Sequence, residues 1–135
     1  MALSKQLTSD LHQLFIEYAE NDYALDMISL ATTDGFPVHH FSRLHDELDI
    51  ETMAAAASTL YSVSNAVAKQ ILSKQFKITF IESEQGNIAF VSLKINDQDF
   101  VLSMSASNAM NIANLRLLIN RLATKICTLD LPNIA

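Results

Sequence analysis

The side chains best suited to chemistry in this 135-residue chain are four histidines, one cysteine and three arginines. His39 and His40 are adjacent in a predicted strand, so they leave on opposite faces and cannot share one ion in ordinary geometry. His45 follows in a loop with Asp46 and Glu47, a spacing that matches no zinc pattern. His12 lies in a predicted helix with no candidate ligand nearby. All four read as packed or solvated side chains, and no metal site is expected. Cys127 falls beside the apolar stripe of the last predicted helix and reads as an inert core thiol. Neither it nor any serine can be placed with the base and oxyanion cradle that acyl transfer needs. The carboxylate pairs Glu82 with Glu84 and Asp97 with Asp99 fall in turns, where such charges are solvated. Of Arg43, Arg116 and Arg121, only Arg43 is predicted outside a helix. A guanidinium offered in trans to a transferring phosphoryl group can be worth about 10³ to 10⁵ in rate, but Phe41-Ser42-Arg43-Leu44 reads equally as a solvated loop. No catalytic, cofactor-binding or metal-binding residue is assigned.

Composition excludes further chemistry. Gly35 and Gly86 are the two glycines and stand far apart, so a phosphate-cradling loop, a dinucleotide fingerprint and a nucleophile elbow are all excluded. A lone cysteine rules out an internal disulfide and any multi-cysteine metal site, and suits a reducing cytosol. The net charge of −6 repels phosphate backbones and anionic lipid, so nucleic acid is not an expected partner. The first ten residues lack a basic segment followed by an apolar one, and no apolar run is long enough to span a membrane. A cytoplasmic protein without membrane insertion is expected. Half the residues are apolar and only 18% are charged, which predicts one folded domain over residues 1–135.

Apolar spacing then supplies the elements that must position these side chains. Leu7, Leu11, Leu14, Phe15 and Tyr18 mark one face of a helix from about Ser4 to Asn21. Met27–Thr32 and Val38–Phe41 flank the turn pair Asp34-Gly35 and predict a hairpin. Asp49 is an expected N-cap for a long helix from Ile50 to Ser73. That helix carries two stripes. The bulkier one, Ile50, Met53, Ala57, Leu60, Ser64, Val67 and Ile71, is expected to face a sheet. The smaller one, Ala54, Ser58, Tyr61, Asn65, Ala68 and Leu72, would let another helix approach closely. Three strands follow, Phe76–Glu82, Asn87–Ile95 and Phe100–Ser105, joined by polar turns into an antiparallel meander. Phe76, Ile78 and Phe80 are expected on one face. After Asn108 a last helix shows an unbroken stripe, Ile112, Leu115, Ile119, Leu122, Ile126 and Leu129, and Pro132 marks its end. Five strands with helices on both faces make an α+β sandwich of order α-β-β-α-β-β-β-α.

In this order, the turn Ala31-Thr32-Thr33-Asp34-Gly35-Phe36-Pro37-Val38, the helix Glu51-Thr52-Met53-Ala54-Ala55-Ala56-Ala57, the meander and the closing helix from Ile112 to Ile126 resemble the roadblock/dynein light-chain domain family. The resemblance covers about Leu7 to Ile126. It implies a profilin-like fold with sheet order 2-1-5-4-3, and a dimer in which long second helices pack together and third strands meet at their edges. Carried onto this sequence, those surfaces are the helix, with Ala54, Ser58, Tyr61, Asn65 and Ala68, and the strand, with Phe76, Ile78 and Phe80. The residues themselves point the same way, because a strand this apolar would aggregate as a bare edge and self-complementary contact would cover it. The resemblance also implies a non-enzymatic regulator or scaffold that pairs with a small Ras-like GTPase, and no cofactor. A small-molecule-sensing module is the alternative, since a sheet flanked by helices can enclose a pocket.

Overall fold

The computed structural model describes residues 3–43 and 49–129. Helix α1 (Lys5–Asn21) begins where the Ser4 hydroxyl accepts from the Leu7 amide at 3.1 Å, and it buries Leu7, Leu11, Phe15 and Ala19. The chain then forms β1 (Leu25–Thr32) and β2 (Pro37–Ser42). Helix α2 (Ile50–Ala66) passes directly into a π-helical turn, Val67–Ile71. Strands β3 (Ile78–Glu82), β4 (Gly86–Ile95) and β5 (Gln98–Ser107) make the meander, and α3 (Ile112–Leu129) closes the described chain. All strand pairs are antiparallel, in the order β2-β1-β5-β4-β3. The expected α+β sandwich, its element order and its sheet order are those observed.

Both sheet faces are covered, as strands apolar on both sides require. On one face, α1 and α3 pack on Leu25, Ile28 and Leu30 of β1, on Ala89, Val91, Leu93 and Ile95 of β4, and on Phe100, Leu102 and Met104 of β5. Helix α3 contributes Leu115, Ile119, Leu122 and Ile126, each worth about 1.5–3 kcal/mol when fully buried. On the other face a smaller cluster of Ala57, Phe90 and Val101, with Met53, Leu60, Tyr61 and Ile88 around it, holds α2 down.

Three local devices set this geometry. Gly35 has φ +98°, a conformation side chains rarely adopt, and it tightens the β1–β2 turn in which the Thr32 hydroxyl accepts from the Phe36 amide at 2.9 Å. A Cβ on Gly35 would lie 3.3 Å from Ser58 Oγ and 3.7 Å from Ala55 Cα, so the turn is packed directly on α2. Asp49 caps α2, accepting from the amides of Glu51 and Thr52 and from the Thr52 hydroxyl, whose hydrogen bond leads in holding the carboxyl below its ordinary pKa. Asn96 and Asp97, both at positive φ, form the two-residue loop between β4 and β5.

Some boundaries differ from expectation. Strand β5 runs two residues further at each end than Phe100–Ser105, because the tight Asn96-Asp97 loop leaves Gln98 and Asp99 free to pair with Ile95 and Lys94. Strand β3 starts at Ile78 rather than Phe76. The long helix ends before Ser73, which takes φ +56°. Pro132 lies outside the described residues.

Gly86 pairs with Ser107, and a Cβ there would sit 2.5 Å from the Ala106 carbonyl oxygen. The obstacle is backbone and cannot swing aside. Gly86→Ala is therefore expected to lower stability by about 1–3 kcal/mol, read as a lower urea midpoint with an unchanged slope.

Candidate functional site

The sites suggested by the sequence lie on α2, its π-turn and β3. In α2 the two stripes do not divide as expected. Ala54 and Ala68, from the smaller stripe, are buried within the single chain, as is Ala57 from the bulkier one. Ser58, Tyr61 and Asn65 are half-buried. The sheet-facing side of α2 is centred between the two stripes, because small residues let it sit close to Phe90 and Val101 and against the Gly35 turn. In the single chain Ala54 has no exposed surface and Ala68 almost none, unlike Ser58, Tyr61 and Asn65.

The outward side is the apolar one at its C-terminal end. Val63 is 58% exposed, Val67 42%, Ile71 74% and Leu72 59%. The exposure of Ile71 reverses the expectation that it faces the sheet. The π-turn is the reason: the Leu72 amide donates to the Val67 carbonyl, five residues back, at 3.2 Å. Each such turn holds more residues than an α-helical one, so Ile71 rotates out of line with Ala57 and Ser64 and into line with Val63 and Val67. Nothing in composition signals a π-turn.

Among the described residues strand β3 is an edge, paired only with β4. The Thr79 hydroxyl donates to Ser64 Oγ at 2.7 Å, tying the strand to α2. Ile78 and Phe80 turn to the other face and pack on the α1/α3 core, where the Arg116 guanidinium lies 5.0 Å from the Phe80 ring centre. Phe76 does not share their face, because it precedes the strand; its ring meets Tyr61 edge-on at 5.6 Å. Between the helix end and this strand runs an open groove of about 360 Å³ lined by Val63, Val67, Leu72, Phe76 and Ile78. The structure thus brings Tyr61, Phe76 and the exposed residues of the π-turn together along one free edge.

The remaining candidates are placed differently. Arg43 is not a free loop side chain. Its guanidinium donates to the carbonyls of Ala19 and Leu25 and lies 5.2 Å from the Tyr23 ring centre and 5.4 Å from that of Phe41. Its amide donates to the Asp26 carbonyl at 2.8 Å. It ties the end of α1 and the start of β1 to the end of β2. Asp26, the extra residue at the irregularity between β1 and β5, has its carboxyl pKa raised by burial, with Arg43 opposing. Cys127 is half-buried and its thiol approaches the Lys94 carbonyl at 3.5 Å. His12 has a neighbour that spacing did not reveal: its Nδ1 is 3.3 Å from His39 Nε2. Burial, then His12, then His40 push the His39 pKa below its ordinary value. His45, Asp46 and Glu47 lie outside the described residues. Among the described residues no helix is long and apolar enough to cross a membrane.

Residues 13–96 match the Roadblock/LC7 domain, and the chain belongs to that family. A search of curated protein sequences finds no match. Among solved structures, the chain is similar to MglB of Myxococcus xanthus, with 13% identity, TM-score 0.80, and coverage of 96% of this chain and 93% of that one. It is similar also to the gliding protein MglB of Thermus thermophilus, with 14% identity, TM-score 0.80 and coverage of 96% and 95%. MglC of Myxococcus xanthus aligns at 16% identity and TM-score 0.60, covering 87% and 97%. At these identities the likeness is one of fold.

Arg43 provides the test of this arrangement. Arg43→Lys keeps the charge but cannot bridge two carbonyls with one planar fork, and it is expected to lower stability by about 1–3 kcal/mol in a denaturant melt. A guanidinium reaching into solvent would show a change within about 0.5 kcal/mol.

Proposed function

We propose that this member of the Roadblock/LC7 family is a homodimeric, non-enzymatic regulator or scaffold of a small Ras-like GTPase in the cytoplasm, with residues 1–135 acting as a single roadblock-like domain. The observation that carries this reading is the set of exposed side chains Val63, Val67 and Leu72 lining the groove beside the edge strand β3, with Ile71 exposed on the same π-turn. Among the described residues of one chain these side chains are exposed, and the strand's outer row of amides and carbonyls has no ladder partner. A second copy related by a two-fold axis covers both at once, helix against helix and β3 against β3. Tyr61 and Phe76 lie between helix and strand and complete the seam, while Ile78 and Phe80 hold the strand to its own core.

The chain lacks the clustered glycines of a nucleotide-binding loop, so nucleotide chemistry belongs to the partner. Arg43 is engaged within its own chain, which argues against an arginine finger. Control is exerted by holding the partner's switch loops in one of two arrangements, a mode that needs a shaped surface rather than a reactive residue.

Light scattering on the purified protein is expected to give twice the chain mass at micromolar concentration. Val63→Asp or Ile71→Asp is expected to give monomers that keep the wild-type circular dichroism spectrum, since both side chains are exposed in the single chain. The wild-type protein, mixed with the small Ras-like GTPases of its own genome, is expected to bind one of them and alter its nucleotide turnover, and the monomeric variants are expected to lose that effect. A wild-type monomer at high micromolar concentration would overturn the dimer, and no binding to any such GTPase would overturn the partner assignment.

A further inference from the structure

Strand β3 carries its charges at its two ends. Lys74 and Lys77 stand just before it, Glu82 closes it and Glu84 follows in the turn, and all four side chains are exposed. Between them the strand is uncharged, Ile78-Thr79-Phe80-Ile81. Among the described residues the ion pair formed within the chain is Lys94 with Asp99, so none of the four is neutralised by its own chain.

The ladder dictates which backbone groups the free edge presents. The Ser83 amide donates to the Gly86 carbonyl at 2.8 Å, which makes these two a hydrogen-bonded pair, and such pairs alternate along an antiparallel ladder. Ile81 with Ile88 and Thr79 with Phe90 are then the bonded pairs of β3 and β4, and Ile78, Phe80 and Glu82 aim their amides and carbonyls outward. A second β3 brought up antiparallel, about a two-fold axis normal to the sheet, can pair all three only if Phe80 lies opposite its own copy and Ile78 opposite Glu82. Centring the axis on Thr79 or Ile81 pairs two of the three, and an axis between residues sets outward groups against inward ones. With Phe80 at the centre, Lys77 lies opposite Ser83 of the second copy, between its Glu82 and Glu84, and the two-fold repeats that meeting at the other end.

We propose that β3 recognises a second copy of this chain in one antiparallel register, Phe80 opposite Phe80, selected by attraction between Lys77 of each copy and Glu82 and Glu84 of the other. The inference rests on the dimer proposed above and adds what makes that dimer a homodimer: the edge is its own electrostatic complement. Exposed ion pairs add little affinity. Their effect is on register and choice of partner, because like charges placed opposite one another are destabilising.

Two variants of the full chain test the charge selection by analytical ultracentrifugation at low salt. Lys77→Glu, and separately Glu82→Lys combined with Glu84→Lys, each set like charges together at both ends of the seam and are expected to weaken self-association about tenfold. An equimolar mixture of the two restores opposite charges at both ends and is expected to form a heterodimer within about threefold of the wild-type dissociation constant. The register is read by cross-linking with copper-phenanthroline in a Cys127→Ser background. Thr79 and Ile81 of opposite copies face each other as a non-hydrogen-bonded pair, whose spacing suits a disulfide, so Thr79→Cys mixed with Ile81→Cys is expected to give a linked dimer and neither variant alone. A monomeric wild type would overturn the dimer on which the inference rests. With the wild type dimeric, undiminished self-association of the charge variants, or a mixture no tighter than either variant alone, would overturn the charge selection. Self-linking of either cysteine variant, or no link in their mixture, would overturn the register.

Discussion

The whole arrangement depends on a sheet that is apolar on both faces. Phe100, Leu102 and Met104 of the central strand β5 point to one side while Val101 points to the other, and on its neighbour β4 Ala89, Val91 and Leu93 are opposed by Phe90. Two of the helices share the first face and can fill it with bulky residues. A single helix, α2, must seal the second, and it does so by approaching closely. Ala57 packs onto Phe90 and Val101, Ala54 is buried beside it, and Ala55 and Ser58 on the same helix receive the Gly35 turn. The Ala-rich segment is therefore the cis contact of the helix. Met53, Leu60 and Tyr61 flank this contact, and the bulky side chains at the C-terminal end, Val63, Val67, Ile71 and Leu72, stay exposed in the single chain.

Much of this was legible in the sequence, and the parts that were not have physical causes. Periodicity placed α1 and α3 well because a helix over a thick core needs large residues at every turn, and Leu115, Ile119, Leu122 and Ile126 supply them without a break. The Asp34-Gly35 turn and the Asp49 cap were legible because each uses a residue type with one dominant local role. In α2, bulk does not mark the buried side. Close approach is the requirement there, and small residues mark it instead. The π-turn widens the discrepancy by rotating Ile71 away from the line an α-helix would keep. Phe76 leaves the face of Ile78 and Phe80 because strand alternation does not reach back beyond the true start of β3. The contacts of His12 and Arg43 are long-range products of packing, and no local pattern encodes them.

The two edges of the sheet are treated differently, and that difference bears on function. Strand β2 opens with Pro37, which cannot donate to a further strand. At its other end Arg43 reaches back to Ala19 and Leu25, and in its middle His39 is engaged by His12 and Phe15. Strand β3 has no proline, and an exposed isoleucine, Ile81, stands on it. A short apolar edge left in this state is a liability to a solitary protein, and sheets ordinarily blunt such an edge with a charge, a bulge or a covering loop. Here the adjoining surface is apolar too, as the exposed side chains of the π-turn run beside it. Two neighbouring features that each invite association, on an edge whose one charge stands at its last residue, Glu82, support a pairing surface there.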